Sequence, residues 1–302
     1  MHYRFQHVRA VFFEPNSEIR QGLTFALRDR GFKQLVATGN KDRLDKAIRG
    51  NEADLIIGDV RFQGHNICGM VKSLRNSQMG NNPFSVAMAI TEDALDPNVS
   101  LCINAGFDDI LVKPLTIAMV LRRIVNLIEA RKPFLISNDY IGPDRRDKRR
   151  LFPPEAAEIR KLVVPNPVRA LAKDGVTIAE LQRQIARAKQ EINQQRIECC
   201  DSQIGWIVGR LVPRFLSERI DADCLTMMMR LEVICRDLGK CLAISKWRHI
   251  GDLCDNLCEV VERINQDPEH PSTQDVDSLP NLASAIHAAF TSDTTTMNAA
   301  MN

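Results

Sequence analysis

The stretch Ala53-Asp54-Leu55-Ile56-Ile57-Gly58-Asp59 decides the fold of the N-terminal half. It is a short apolar run that follows a helix-like segment and ends at a carboxylate. In a sheet of parallel strands, an acid directly after a buried strand lies at the carboxyl edge, where such sheets bind ligands. Asp59 is therefore the first candidate for a functional residue.

Residues 8 to 130 repeat this pattern, with short apolar segments that alternate with longer amphipathic ones. The lengths and the glycine and proline punctuation fit strands followed by helices. We therefore predict an α/β fold, a doubly wound five-stranded parallel sheet with helices on both faces. Ser17 is the predicted N-cap of the first helix. The predicted strands are 8–13, 34–38, 54–58, 85–90 and 109–112.

Polar residues stand at the ends of four predicted strands and should meet at one edge of the sheet. They are Glu14, Asp59, Thr91 and Lys113. Two carboxylates suit Mg²⁺, which prefers oxygen ligands. A hydroxyl and an ammonium group can bind phosphoryl oxygens. Lys113 precedes Pro114, and a peptide bond to proline can be cis.

Six segments carry a resemblance to a known family, in order and with suitable spacing. They are Phe13-Glu14, Arg20, Leu55-Ile56-Ile57-Gly58-Asp59, Ile90-Thr91, Ala105-Gly106-Phe107-Asp108-Asp109 and Val112-Lys113-Pro114-Leu115. As a set, they resemble the CheY-like receiver domain of bacterial two-component response regulators. The resemblance implies a flavodoxin-like fold in which Asp59 accepts a phosphoryl group from a histidine kinase or phosphotransfer protein. It also implies that Thr91 and Lys113 contact that group, and that Glu14, Asp59 and the backbone carbonyl of Arg61 hold Mg²⁺.

Three residues and the loop after Asp59 depart from the family pattern. Pro15 stands where a second acid is usual, so we predict weak Mg²⁺ binding. The guanidinium of Arg61 is close enough in sequence to pair with Asp59 instead. Glu92 replaces a small residue and should repel a phosphodonor, while Ile110 replaces an aromatic residue. These departures favour an alternative function, a pseudo-receiver scaffold that binds partners without phosphorylation.

Residues 133–174 are rich in proline, and we predict a basic linker after a domain over 1–132. The linker contains Tyr140-Ile141-Gly142-Pro143-Asp144-Arg145-Arg146, which resembles a tail found after alphaproteobacterial receiver domains. One interpretation is contact with RNA or a phosphorylated partner. The favoured one is a solvated linker whose arginines pair with Asp144 and Asp147 or dock on the preceding domain.

The chain is predicted to be helical from Thr177, with a bundle over 175–290 and a disordered tail over 291–302. Apolar residues recur at three-four spacing between 178 and 192, which is typical of a coiled-coil seam and favours a homodimer. The seam comprises Ile178, Leu181, Ile185, Ala188 and Ile192. His249 and His287 lack the Lys and Gly that follow phosphotransfer histidines, so neither is assigned a catalytic role.

Composition limits the function classes. The chain has 302 residues and a net charge of +2, which suggests two domains and disfavours a general attraction to nucleic acid or anionic membranes. No apolar run approaches the ~18 residues of a membrane span, so we predict a cytoplasmic protein. Nine cysteines without a Cys-x-x-Cys pair are predicted to be mainly core thiols.

The leading prediction is a response regulator that signals through a helical protein-interaction domain. Its chemistry is self-modification rather than turnover of an external substrate, so no enzyme is predicted. An RNA- or DNA-binding regulator is the remaining alternative, but the predicted helices carry no dense Lys/Arg stripe.

Overall fold

A computed structural model describes residues 3–50, 53–60, 67–93, 98–145, 161–217 and 219–300, with side chains through residue 291. The chain divides into two compact units. Among the described residues, the first contains those up to 145 together with 161–189, and the second contains those from 190 onward.

The first unit is built on a parallel sheet of five strands in the order β2-β1-β3-β4-β5. The strands are β1 Arg9–Phe13, β2 Gln34–Thr38, β3 Leu55–Asp59, β4 Val86–Thr91 and β5 Asp109–Val112. Every residue of β3 and β4 is buried, which explains why their sequences are continuously apolar rather than alternating. This strand order is the flavodoxin-like one, and the predicted fold class is confirmed.

Helices cover both faces of the sheet. They are α1 Ser17–Asp29, α2 Lys41–Arg49, α3 Ile67–Arg75, α4 Asn98–Ala105 and α5 Ile117–Ala130. The apolar sides of α2, α3 and α4 pack on one face, while α1 and α5 contact each other on the other. The N-cap of α1 is Asn16 rather than Ser17, because the amide oxygen of Asn16 accepts the Glu18 and Ile19 backbone N–H groups at 2.9 and 3.1 Å.

The region that the sequence predicts as a linker contains regular structure where it is described. Strands β6 Phe134–Ile136, β7 Ile141–Pro143 and β8 Lys161–Leu162 form an antiparallel sheet in the order β7-β6-β8. A short helix, α6 Pro167–Arg169, and a π-helical turn, Ala170–Asp174, follow. All six residues of β6 and β7 are buried, so apolar packing orders this segment despite its prolines.

The second unit is helical, as predicted. Helix α7 Ile178–Leu216 begins in the first unit and continues into the second, where it is followed by α8 Ala222–Ala243, α9 Gly251–Gln266 and α10 Thr273–Ala300. Helix α9 packs on α8 and on α10 around a continuous apolar core. Pro213 and Pro280 lie inside α7 and α10, and α10 continues past Thr291, where the sequence predicts disorder.

The predicted seam and the next predicted helix form one uninterrupted helix, α7. Leu181, Ile185, Ala188 and Ile192 are already buried within the single chain, while Ile178 is 45% exposed. Pairing with a second chain through this seam would therefore require these side chains to leave their present packing.

Two further observations concern the helices and the cysteines. No helix in the described ranges is long and apolar enough to cross a membrane. Six of the nine cysteines are buried, which confirms that they are mainly core thiols.

Candidate functional site

The carboxyl edge of the sheet brings three of the predicted site residues into direct contact. Asp59 is the last residue of β3, and Glu14 and Lys113 directly follow β1 and β5. The Lys113 ammonium donates to Asp59 Oδ2 at 2.5 Å and lies 3.1 Å from Glu14 Oε2. One cation therefore bridges two carboxylates at the carboxyl ends of adjacent strands.

This cluster is largely removed from solvent, which strengthens its electrostatics. The exposed fractions of the side chains are 1% for Glu14, 7% for Asp59 and 18% for Lys113. Burial lowers the pKa of the Lys113 ammonium, but its contacts with Asp59 and Glu14 outweigh burial, so that the pKa is raised. The lysine is accordingly a fixed positive charge at neutral pH.

The loop after β1 holds Glu14 from several sides. Glu14 Oε1 accepts the Asn16 backbone N–H at 2.9 Å, whereas the buried Oε2 has the ammonium nearby but makes no well-aligned hydrogen bond. Nη1 of Arg20 donates to the carbonyls of Glu14 and Pro15 at 2.6 and 2.9 Å. Arg20 thus fixes the backbone that aims Glu14 at Asp59.

Thr91 ends β4, the strand that pairs with β3 beside Asp59. Its backbone carbonyl accepts the Lys113 N–H at 2.8 Å, and its hydroxyl donates to the Asp93 carbonyl at 3.3 Å. The peptide bond between Lys113 and Pro114 is cis. The structure therefore places all four predicted strand-end residues at one edge of the sheet.

The residues that depart from the family pattern range from exposed to packed against the core. Pro15 is partly buried beside Glu14, and Glu92 is exposed just after β4. Ile110 packs against the apolar core that α2, α3 and α4 share with the sheet. Arg61, the proposed third metal ligand, lies outside the described residues. Glu14 and Asp59 are the two carboxylates that could hold Mg²⁺, and the described chain contains no group of three or more His, Cys, Asp or Glu side chains suited to a metal.

The opposite edge of the sheet holds a buried ionic cluster that sequence reasoning missed. Asp108, 1% exposed, accepts from Arg75 at 3.0 Å and from Arg131 at 2.8 and 3.0 Å. Both guanidinium groups lie over the Phe134 ring of β6, at 5.1 and 4.9 Å from its centroid. The Asp108 carboxylate therefore joins two arginines on which β6 packs.

Two close contacts near this cluster dock part of the segment that begins at Tyr140. Gly142 of β7 approaches Gly106 so closely that an added Cβ would lie 2.7 Å from the Gly106 Cα atom. Arg145 donates to the Phe107 carbonyl at 2.8 Å. Of the alternatives for the arginines of this segment, docking on the preceding domain thus holds for Arg145, while residues 146–150 lie outside the described part.

The second unit places His287 of α10 beside Asp201 of α7, with Nδ1 2.7 Å from Asp201 Oδ2. Burial raises the pKa of the Asp201 carboxyl, and the hydrogen bond to His287 opposes this. A cavity of about 610 Å³ adjoins the pair and is lined by α7 and α10. His249 is exposed in a short 3-10 helix, Arg248–Ile250.

Comparison with known proteins adds no assignment: no family model matches this chain, and no curated protein sequence is similar to it.

Proposed function

We propose that this protein is a signal-transduction response regulator in which Asp59 accepts a phosphoryl group from a histidine kinase or phosphotransfer protein. The observation that carries the proposal is the contact of Lys113 with both Asp59 and Glu14 at the carboxyl edge of a flavodoxin-like sheet. Edges of this kind are where doubly wound sheets bind their ligands. The resemblance of the first half of the sequence to receiver domains supports the same function.

In the proposed reaction, an Asp59 carboxylate oxygen attacks the phosphorus of a phosphohistidine. The P–N bond breaks, the imidazole leaves, and an acyl phosphate forms on Asp59. The Lys113 ammonium, already 2.5 Å from the acceptor, then binds a phosphoryl oxygen. Thr91 ends the neighbouring strand and supplies a hydroxyl donor at the same edge.

Glu14 and Asp59 would together hold Mg²⁺, and the buried Glu14 Oε2, which lacks a well-aligned hydrogen bond, fits a cation ligand. When bound, the ion supplies positive charge that offsets the added near-dianion. Pro15 removes one acid from this site, so we expect the metal affinity to be low. The chemistry is self-modification, and the helical unit is proposed to transmit it to a protein partner.

A scaffold that binds partners without phosphorylation is the second candidate. Pro15 beside Glu14 and the exposed Glu92 after Thr91 favour it, because the first removes an acid that would hold the metal and the second would repel a phosphodonor.

Intact mass after incubation with acetyl phosphate and Mg²⁺ separates the two candidates. We expect slow addition of one phosphoryl mass to the wild-type chain and complete loss of that addition in Asp59→Asn. Pro15→Asp should speed the addition, because it restores an acidic pair for the metal. Asp45→Asn, which alters a partly exposed acid of α2, is the matched control and should label like wild type.

No adduct on wild type together with an adduct on Pro15→Asp would establish the scaffold instead. Equal labelling of wild type and Asp59→Asn would place the modification elsewhere and refute the assignment of Asp59.

A further inference from the structure

The thiols of Cys68 and Cys102 are in contact within the first unit. Cys68 lies in the first turn of α3 and Cys102 in the middle of α4, and these two helices pack directly against each other. Their sulfur atoms are 3.6 Å apart, too far for a disulfide. A disulfide requires the two sulfurs to approach to about 2.05 Å, a short movement for side chains on adjacent helices.

The two thiols differ in access and in acidity. Cys68 is only partly buried, whereas Cys102 is fully buried. A hydrogen bond with Cys102 lowers the pKa of the Cys68 thiol, and burial opposes this. Cys68 is therefore the thiol that an oxidant reaches first, and its lowered pKa favours the thiolate, which is the reactive form. Cys102 is the buried thiol in contact with it.

We propose that Cys68 and Cys102 form a modification site that responds to hydrogen peroxide and closes to an intramolecular disulfide. The Cys68 thiolate attacks the peroxide, the O–O bond breaks, and sulfenic acid forms on Cys68 while one water leaves after protonation. The Cys102 sulfur then attacks the Cys68 sulfur, the S–O bond breaks, and a second water leaves. The two thiols together lose two electrons, and the peroxide is reduced to two waters.

The bond would join α3 to α4 and enclose the chain between them, which contains β4 and Thr91. Ile67, the neighbour of Cys68, packs on Gly58, since a Cβ added to Gly58 would meet the Ile67 side chain. Gly58 directly precedes Asp59. Oxidation would therefore act on a segment adjacent to the candidate acceptor. In reducing compartments, disulfides of this kind are transient and sense redox state.

A second group of neighbouring thiols lies in the second unit. The Cys258 thiol of α9 hydrogen-bonds to Cys235 and Cys254, and the latter donates to the Cys235 carbonyl at 3.4 Å. Cys254 and Cys258 lie one turn apart on the same helix. These thiols in the second unit provide an internal comparison for any assay on the full chain.

The test treats the reduced full-length protein with a small excess of hydrogen peroxide, blocks the remaining thiols with iodoacetamide and maps the tryptic peptides. We expect peptides 62–72 and 76–122 to be recovered linked, lighter by two hydrogen atoms, and to separate on reduction. The link should disappear in Cys68→Ser and in Cys102→Ser. Only Cys102→Ser should gain a dimedone adduct on Cys68, because its sulfenic acid has lost the resolving thiol.

Recovery of Cys68 and Cys102 as separate alkylated peptides, at a dose that oxidises Cys235, Cys254 or Cys258, would overturn the proposal. A dimedone adduct on Cys68 that is equally abundant in wild type and Cys102→Ser would overturn it as well. Neither readout depends on phosphorylation of Asp59, so the result stands apart from the proposed function.

Discussion

Replacement of Asp108 by alanine should strongly destabilise the first unit. The Asp108 carboxylate bonds to Arg75 and Arg131 and also accepts the Ala87 N–H at 2.9 Å. Burial lowers the pKa of Arg75 to about 10, and the Asp108 charge opposes this, so the arginine stays charged at neutral pH. Asp108→Ala would therefore leave two buried cations without their counter-ion.

Removal of one partner from a buried ion pair costs about 3–5 kcal/mol. The orphaned Ala87 N–H adds to this loss. The loss is limited because the guanidinium groups retain carbonyl acceptors. Arg75 keeps the carbonyls of Pro83, Ser85 and Gly106. We therefore expect a loss of about 4 kcal/mol, a large share of the ~5–15 kcal/mol that usually stabilises a folded protein.

Urea-dependent hydrogen exchange, followed by mass spectrometry, gives the free energy of opening for β4 and β5 separately from that of the second unit. Asp45→Ala, which breaks the exposed pair between Asp45 and Arg49 at 2.6 Å, is the control and should change the free energy by about 0.3–0.5 kcal/mol at most. A loss below about 1.5 kcal/mol for Asp108→Ala would refute the reasoning, because it lies far under the cost of an uncompensated buried charge.

Two further predictions concern the segment after α5. Gly142→Ala should lower the free energy of unfolding of the first unit by about 1–3 kcal/mol, because the new Cβ would meet the Gly106 backbone at 2.7 Å. Gly22→Ala in α1, where nothing lies within 4 Å, should instead stabilise by up to about 1 kcal/mol, and equal effects in urea unfolding would contradict the docking of β7. Burial raises the pKa of Tyr140 to about 12, so in Tyr3→Phe, which leaves Tyr140 as the single tyrosine, absorbance at 295 nm should rise near pH 12. Because the pKa of Tyr140 is raised in the folded chain, its protonated phenol contributes stability that is fully present below the ordinary pKa of 10 and is lost as pH rises through about 12. A titration midpoint near 10 in the folded chain would show that Tyr140 is exposed.

The local pattern of the sequence was sufficient to predict the sheet and most of the candidate site. Strands that are buried on both faces require continuous apolar runs, so β1, β3 and β4 are visible without any structure. Parallel strands bring their carboxyl ends together, so Glu14, Asp59, Thr91 and Lys113 could be placed at one edge before their contacts were known. What the sequence left open was which carboxylate the lysine contacts, and it contacts both.

Other features depend on partners that no sequence spacing relates. Asp108 is 33 residues from Arg75 and 23 from Arg131, and Asp201 is 86 residues from His287. The prolines after α5 predict a linker, yet all residues of β6 and β7 are buried. Phe134 of β6 packs under two arginines from distant segments. Periodicity and strand-end chemistry are local properties, so the sequence determined the sheet and its polar edge. Pairing across tens of residues depends on chain packing, so only the tertiary structure decided the buried ionic cluster, the docked β7 strand and the contact between Cys68 and Cys102.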